Sequence, residues 1–128
     1  MPRGKPVTSS SAPKAIGPYS QAIAVDKLVF LSGQIALDPQ TGNLIEGSIR
    51  EQAVQVFENL CAVAQAAGGT IQDAVKLTVY LTDLGNFPIA NEVMSGYFTE
   101  PYPARATVQV SALPRNAVIE IDAILALS

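Results

Sequence analysis

The sequence contains no histidine and a single cysteine, Cys61, among its 128 residues. Without histidine, Ser-His-Asp and Cys-His catalysis, an imidazole general base and most zinc sites are excluded. One cysteine excludes an internal disulfide. Charge is scarce as well: 15% of residues are charged and 48% are apolar. Such a balance suggests a membrane segment or a large buried interface. The apolar runs are short and interrupted by Gln, Asp, Glu or Lys, and none approaches the roughly 20 residues that span a bilayer. Met1–Lys14 has no apolar core of a signal peptide. The expectation is a soluble, cytoplasmic chain that hides surface in an oligomer. The net charge is −3 and the basic residues are scattered, which argues against a non-specific nucleic-acid face. No phosphate loop or dinucleotide fingerprint is present. Any chemistry must come from carboxylates, arginine, tyrosine, hydroxyls, backbone groups or the lone thiol.

What is present reads as one domain over residues 1–128, with 1–9 a mobile N-terminal arm rich in Pro, Gly, Ser and Lys. Tyr19–Val25 and Leu28–Leu31 read as a hairpin turning at Asp26-Lys27. Asp38-Pro-Gln-Thr-Gly42 is a turn, with proline to fix φ and glycine to allow a positive one. A helix starts at the Ser48/Glu51 capping box and stops at Gly68-Gly69. Val54, Phe57, Leu60, Cys61 and Ala64 form its apolar face, and Gln52, Gln55, Glu58, Asn59 and Gln65 its polar remainder. Ala74–Asp83 is a β-branched strand, and 86–98 a second helix with Pro88 in its first turn. Ala104–Val110 and Val118–Leu127 are two further strands. The order is β-β-α-β-α-β-β, an α+β chain with a mixed sheet. Two helices cover one face of that sheet, so water or another subunit must cover the other.

In Ala104–Val110 the period of two puts Arg105, Thr107 and Gln109 on one face. Glu120 and Asp122 share a face of the last strand. If the apolar faces of both strands join one core, Arg105 and Glu120 emerge together on the opposite side. That side is either the wet face of an antiparallel sheet or a subunit contact with a polar pocket. In the pocket reading, Arg105 grips a carboxylate with its fork and Glu120 handles a water or proton. Tyr19 can equally be a half-buried aromatic, Ser32-Gly33 a strand end, and Asn91 a solvated helix residue. Cys61 reads as an inert core thiol.

The stretches AIGPYSQAI, LSGQIALDPQTGN, AAGG, VKLTVYLTDLGNF, ANEVMSGYF and PARATVQVSALPRNAVIEIDAI together resemble the RidA family, also called YjgF or L-PSP, from about Ser10 to the C-terminus. The resemblance implies a chorismate mutase-like fold and a homotrimer with a barrel-like core and sites between subunits. It implies hydrolysis of reactive enamines and imines, such as 2-aminoacrylate and 2-iminobutanoate, to 2-keto acids and ammonia, with no metal or organic cofactor. Arg105 matches the arginine that binds the substrate carboxylate, and Glu120 the glutamate that holds the attacking water. Tyr19, Ser32, Gly33 and Asn91 match other substrate-binding positions. Thr107 stands where the best-known members have a pocket-lining cysteine. The alternatives are a non-catalytic trimeric module that binds keto or imino acids, and a ribonuclease or translation inhibitor. The acidic balance and missing histidines weigh against the last.

Overall fold

A computed structural model describes residues 4–128. Six strands form one sheet: β1 (Lys5–Val7), β2 (Ala22–Val25), β3 (Leu28–Gln34), β4 (Ala74–Leu81), β5 (Ala104–Gln109) and β6 (Ile119–Ala126). Their spatial order is β1-β2-β3-β6-β4-β5. β4 and β5 run parallel and all other neighbours antiparallel. Helices α1 (Ile49–Ala66) and α2 (Phe87–Ser95) complete the fold. Among the described residues, no helix is long and apolar enough to cross a membrane.

The arm expected at 1–9 lies outside the described residues for its first three positions. From Lys5 it is an edge strand, with Pro6 opposite Ile23. The signal that sequence reading missed is Gln21. Its buried side chain accepts from the Ser9 N–H at 2.6 Å and donates to the carbonyls of Ser9 and Pro13. A polar side chain with its own donors and acceptors thereby holds a segment with no periodicity of its own.

The hairpin forms, with Asp26 at φ 53° in its turn. Its first strand begins at Ala22, three residues later than expected, because Tyr19 is tied into a tight turn by its N–H to the Gly17 carbonyl at 2.9 Å. Its second strand runs on to Gln34 through a bulge. Pairing passes from Leu31↔Ala123 to Gln34↔Ile121, so β3 spends one more residue than β6 there. The extra residue falls at Ser32-Gly33.

α1 starts where the capping box places it. The Ser48 hydroxyl accepts from the Glu51 N–H, and the Glu51 carboxylate accepts from the Ser48 N–H. Its buried face is rotated from the expected one. Val54 is 40% exposed and Cys61 only half-buried, whereas Val56, Phe57, Leu60, Val63 and Ala64 are in the core. Two residues assigned to the polar remainder, Gln52 and Asn59, are buried because the neighbouring chain has carbonyls and an N–H to satisfy. Asn59 donates to the carbonyls of Ile35 and Leu37. The Gln52 side chain accepts from the Val118 N–H.

α2 is shorter at both ends than the expected 86–98. Both helices lie on one sheet face, over Val29, Leu31, Leu77, Val79, Leu81, Ile119, Ile121 and Leu125. The other face is mixed: Lys76, Thr78, Tyr80, Glu120 and Asp122 run along β4 and β6, with apolar side chains flanking them. Phe30 pairs with Ile124 and Leu28 with Ala126. Leu28, Phe30 and Val108 are each more than 40% exposed there, with Ala104 and Ala106 exposed beside Val108. No segment among the described residues covers this face.

Candidate active site

Arg105 sits on β5 opposite Leu77, and Thr107 opposite Val79. Paired residues share a sheet face, and Leu77 and Val79 are core residues under the helices. Arg105 and Thr107 therefore point toward α2. Phe87, Asn91 and Met94 are spaced i, i+4, i+7 on that helix, one stripe of its surface. All three receive the guanidinium. Nη1 donates to Asn91 Oδ1 at 2.6 Å and approaches Met94 Sδ at 3.5 Å. The guanidinium carbon lies 5.0 Å from the Phe87 ring centroid, a cation–π contact. These contacts hold the fork before any ligand arrives. Beside it opens a cleft of about 410 Å³ lined by Asn91, Met94, Ser95, Tyr102, Pro103 and Arg105.

Glu120 sits on β6 opposite Tyr80, on the face without helices. Its neighbour is the bulge. A Cβ built on Gly33 would come within 2.5 Å of Glu120 Oε2 and 2.9 Å of its carboxyl carbon. Only a glycine leaves the carboxylate room to lie against the backbone here. Ser32 works on the other side of the same bulge. Its hydroxyl donates to the Ser20 carbonyl at 2.6 Å and its N–H to the Gln21 carbonyl at 3.0 Å. These bonds fix the segment bearing Tyr19, whose ring is half exposed. A second cleft, of about 380 Å³, is lined in part by Ile16, Tyr19, Gly33, Arg115 and Glu120. Burial raises the pKa of Glu120, and the like charge of Asp122 raises it further. Asp122 itself accepts from the Tyr80 hydroxyl at 3.2 Å.

The expected residues thus fall into two groups. Arg105, Asn91 and Thr107 meet on the helix side of the sheet, while Tyr19, Ser32, Gly33 and Glu120 gather on or beside the opposite face. The expectation that Arg105 and Glu120 emerge together from one face is overturned. In β5 it is the polar face that turns toward α2, and the small apolar residues Ala104, Ala106 and Val108 that turn outward. The physical reason is that β5 is an edge strand under the short α2, which meets it with Asn91 and Phe87 rather than with a closed apolar surface. Sequence reading also missed Phe87. Its i, i+4 spacing to Asn91 was the available signal. Cys61 lies away from both groups, its thiol pushed up to about 11 by burial and by Glu58, so it is protonated at neutral pH.

Comparison with known proteins gives concordant matches. Residues 9–127 fit the family model described as endoribonuclease L-PSP. A mouse protein named 2-iminobutanoate/2-iminopropanoate deaminase is 46% identical, covering 94% of this chain and 89% of that one. The crystal structure of RidA from the Antarctic bacterium Psychrobacter is 50% identical and superimposes with a TM-score of 0.93, covering 96% of this chain and 99% of that one. Escherichia coli TdcF, solved with bound serine, is 41% identical with a TM-score of 0.91, covering 97% and 99%.

Proposed function

The chain belongs to the RidA/YjgF (L-PSP) family, and from that premise we infer that its two groups of residues form one active site when neighbouring copies bring them together. The protein deaminates reactive imines and enamines of 2-amino acids by hydrolysis, as the name of its mouse relative states for 2-iminobutanoate and 2-iminopropanoate. The products are a 2-keto acid and ammonia. The copies associate as a homotrimer through the sheet face without helices, forming a barrel-like core with three sites at its clefts.

The observation that carries the reading is the state of Arg105. Its guanidinium is fixed by Asn91 and Phe87 at the edge of an open cleft, with no carboxylate among the described residues bonded to it. Asn91 spends its carbonyl oxygen on the arginine, so its amide NH₂ is what it can offer a ligand. A cation and an N–H donor suit an acceptor-only group, and a carboxylate is one. The bound serine of the TdcF structure carries such a group.

With the carboxylate on Arg105, the adjacent C=N carbon is oriented for attack. An enamine first tautomerises to the imine by gaining a proton at carbon and losing one from nitrogen. Glu120 of the neighbouring copy, acting as a carboxylate base, accepts a proton from water as the water oxygen bonds to that carbon. The imine nitrogen takes that proton to give the carbinolamine, and Glu120 then carries the hydroxyl proton to the same nitrogen, which departs as ammonia and leaves the carbonyl. Tyr19 and the Gly33 backbone line the water's side.

The test generates the imine with a serine or threonine dehydratase and follows keto-acid formation. The wild-type protein accelerates it, and Arg105→Ala loses at least 100-fold in kcat/KM, of the order expected when an orienting ion pair is lost. Arg105→Lys is also poor because an ammonium has no fork. Keto-acid binding without acceleration would make the protein a binding module instead.

A further inference from the structure

The cleft of about 380 Å³ beside Glu120 holds a second charged residue that the proposed chemistry does not use. Arg115 lines it together with Glu120, Tyr19 and Ile16. Among the lining residues Arg115 is the one cation and Glu120 the one carboxylate. They share the cleft without pairing, since the ion pair found among the described residues joins Arg50 and Glu92. Gln21, another polar residue of the wall, spends its side chain on Ser9 and Pro13. Ile16 and Arg115 are exposed, so the cleft is open to a solute.

The backbone seats Arg115 there in a conformation its residue type seldom takes. In the turn Pro114–Asn116, which leads into β6, Arg115 stands at φ 60° and ψ 25°, and Asn116 at φ 60°. Asparagine enters that left-handed region readily, whereas arginine does not. Such conformations persist where the surroundings fix them. Here Arg115 Nη1 donates to the Gly42 carbonyl at 3.1 Å, which ties the 38–43 turn to the start of β6. That bond uses one N–H of a guanidinium that carries several. The others bond to no described residue and are open to a ligand.

With the substrate carboxylate on Arg105 of one copy and the imine carbon facing Glu120 of the next, the substrate's side chain enters the Glu120 cleft. A neutral side chain gains nothing from a cation there. An anionic one meets Glu120 as a like charge, and Arg115 supplies the opposite charge that offsets it. We propose that Arg115 is a specificity-determining residue that admits substrates with a second, distal carboxylate, so that imines of acidic 2-amino acids are hydrolysed alongside small neutral ones. This rests on the reading of Arg105 and Glu120 as one shared site.

The experiment measures, by calorimetry at low salt, the binding of three 2-keto acids to the assembled wild-type protein, Arg115→Gln and Arg105→Ala. The ligands are 2-oxobutanoate, 2-oxoglutarate with its distal carboxylate, and 2-oxohexanoate, which has a similar length and no second charge. The preference for 2-oxoglutarate over 2-oxohexanoate, taken as a ratio of Kd values, should fall about fivefold in Arg115→Gln, the scale of one exposed charge pair. Binding of 2-oxobutanoate should stay as in wild type. In wild type the same ratio should shrink when salt is raised to about 1 M. An equal ratio in wild type and Arg115→Gln overturns the role of Arg115 and leaves the shared site standing. So does a wild-type protein that binds 2-oxobutanoate but not 2-oxoglutarate. If Arg105→Ala binds 2-oxobutanoate like wild type, the reading of Arg105 fails, and the proposal falls with it.

Discussion

Glu120 is held where its charge is costly. It is half-buried against Gly33, with Asp122 two residues along on the same sheet face and Tyr80 opposite it. Burial is the larger cause of its raised pKa and Asp122 the smaller. A carboxylate acting as base must be ionised, so kcat/KM should fall as pH falls through that raised value, earlier than for an ordinary carboxylate. Asp122→Asn removes the like charge and should move the acid limb to lower pH, without reaching the ordinary value because burial remains. An acid limb that does not move would mean that another group sets it. Stability carries the opposite sign. In the folded state Glu120 holds its proton more tightly than in the unfolded chain, so stability is lost as pH rises from the unfolded to the folded pKa. Glu120→Gln should therefore raise urea resistance near neutral pH and bring no such gain below about pH 4.

Elements were legible where local chemistry decides them. The capping box, the glycine stop and the alternation of β5 and β6 all depend on near neighbours in sequence. The rotation of α1 was not legible, because Asn59 is buried by what lies against it. Its amide is the donor for two carbonyls of the 35–37 segment, which continues from the bulge that seats Glu120. Asn59→Leu keeps the volume and orphans both, and should cost about 2–4 kcal/mol. Ser48→Ala removes one exposed cap and should cost about 1 kcal/mol. Urea unfolding of the two variants checks the order. Equal losses would mean that Asn59 is no more than a surface residue. The face taken by Arg105 was hidden for a related reason. Alternation tells which residues of one strand share a side, but the side itself depends on the strand's neighbour. β5 lies against β4 in parallel register, Leu77 beside Arg105, and that pairing is not written in β5.

At the scale of the whole molecule, the separation of Arg105 from Glu120 becomes a statement about assembly. If Arg105 binds the carboxylate and Glu120 is the base, as proposed, a chain that presents them on opposite faces of its sheet cannot close a small-molecule site by itself. The same chain leaves Phe30, Leu28 and Val108 exposed on the face without helices, a surface suited to burial against a copy. A closed ring satisfies both, since each head-to-tail contact joins two different surfaces. Every site in such a ring takes Arg105 from one copy and Glu120 from the next. Arg105→Ala and Glu120→Gln, each inactive alone, should therefore complement each other. When the two are unfolded together in equal amounts and refolded, a site is intact if its arginine comes from the second variant and its glutamate from the first. Random assortment gives that for roughly a quarter of sites, so about a quarter of wild-type activity should return. Mixing the folded variants should restore less, and more slowly, as subunits exchange. Zero recovery after co-refolding, with the oligomer intact, would mean that each site draws both residues from one chain, and the shared-site reading would have to be abandoned.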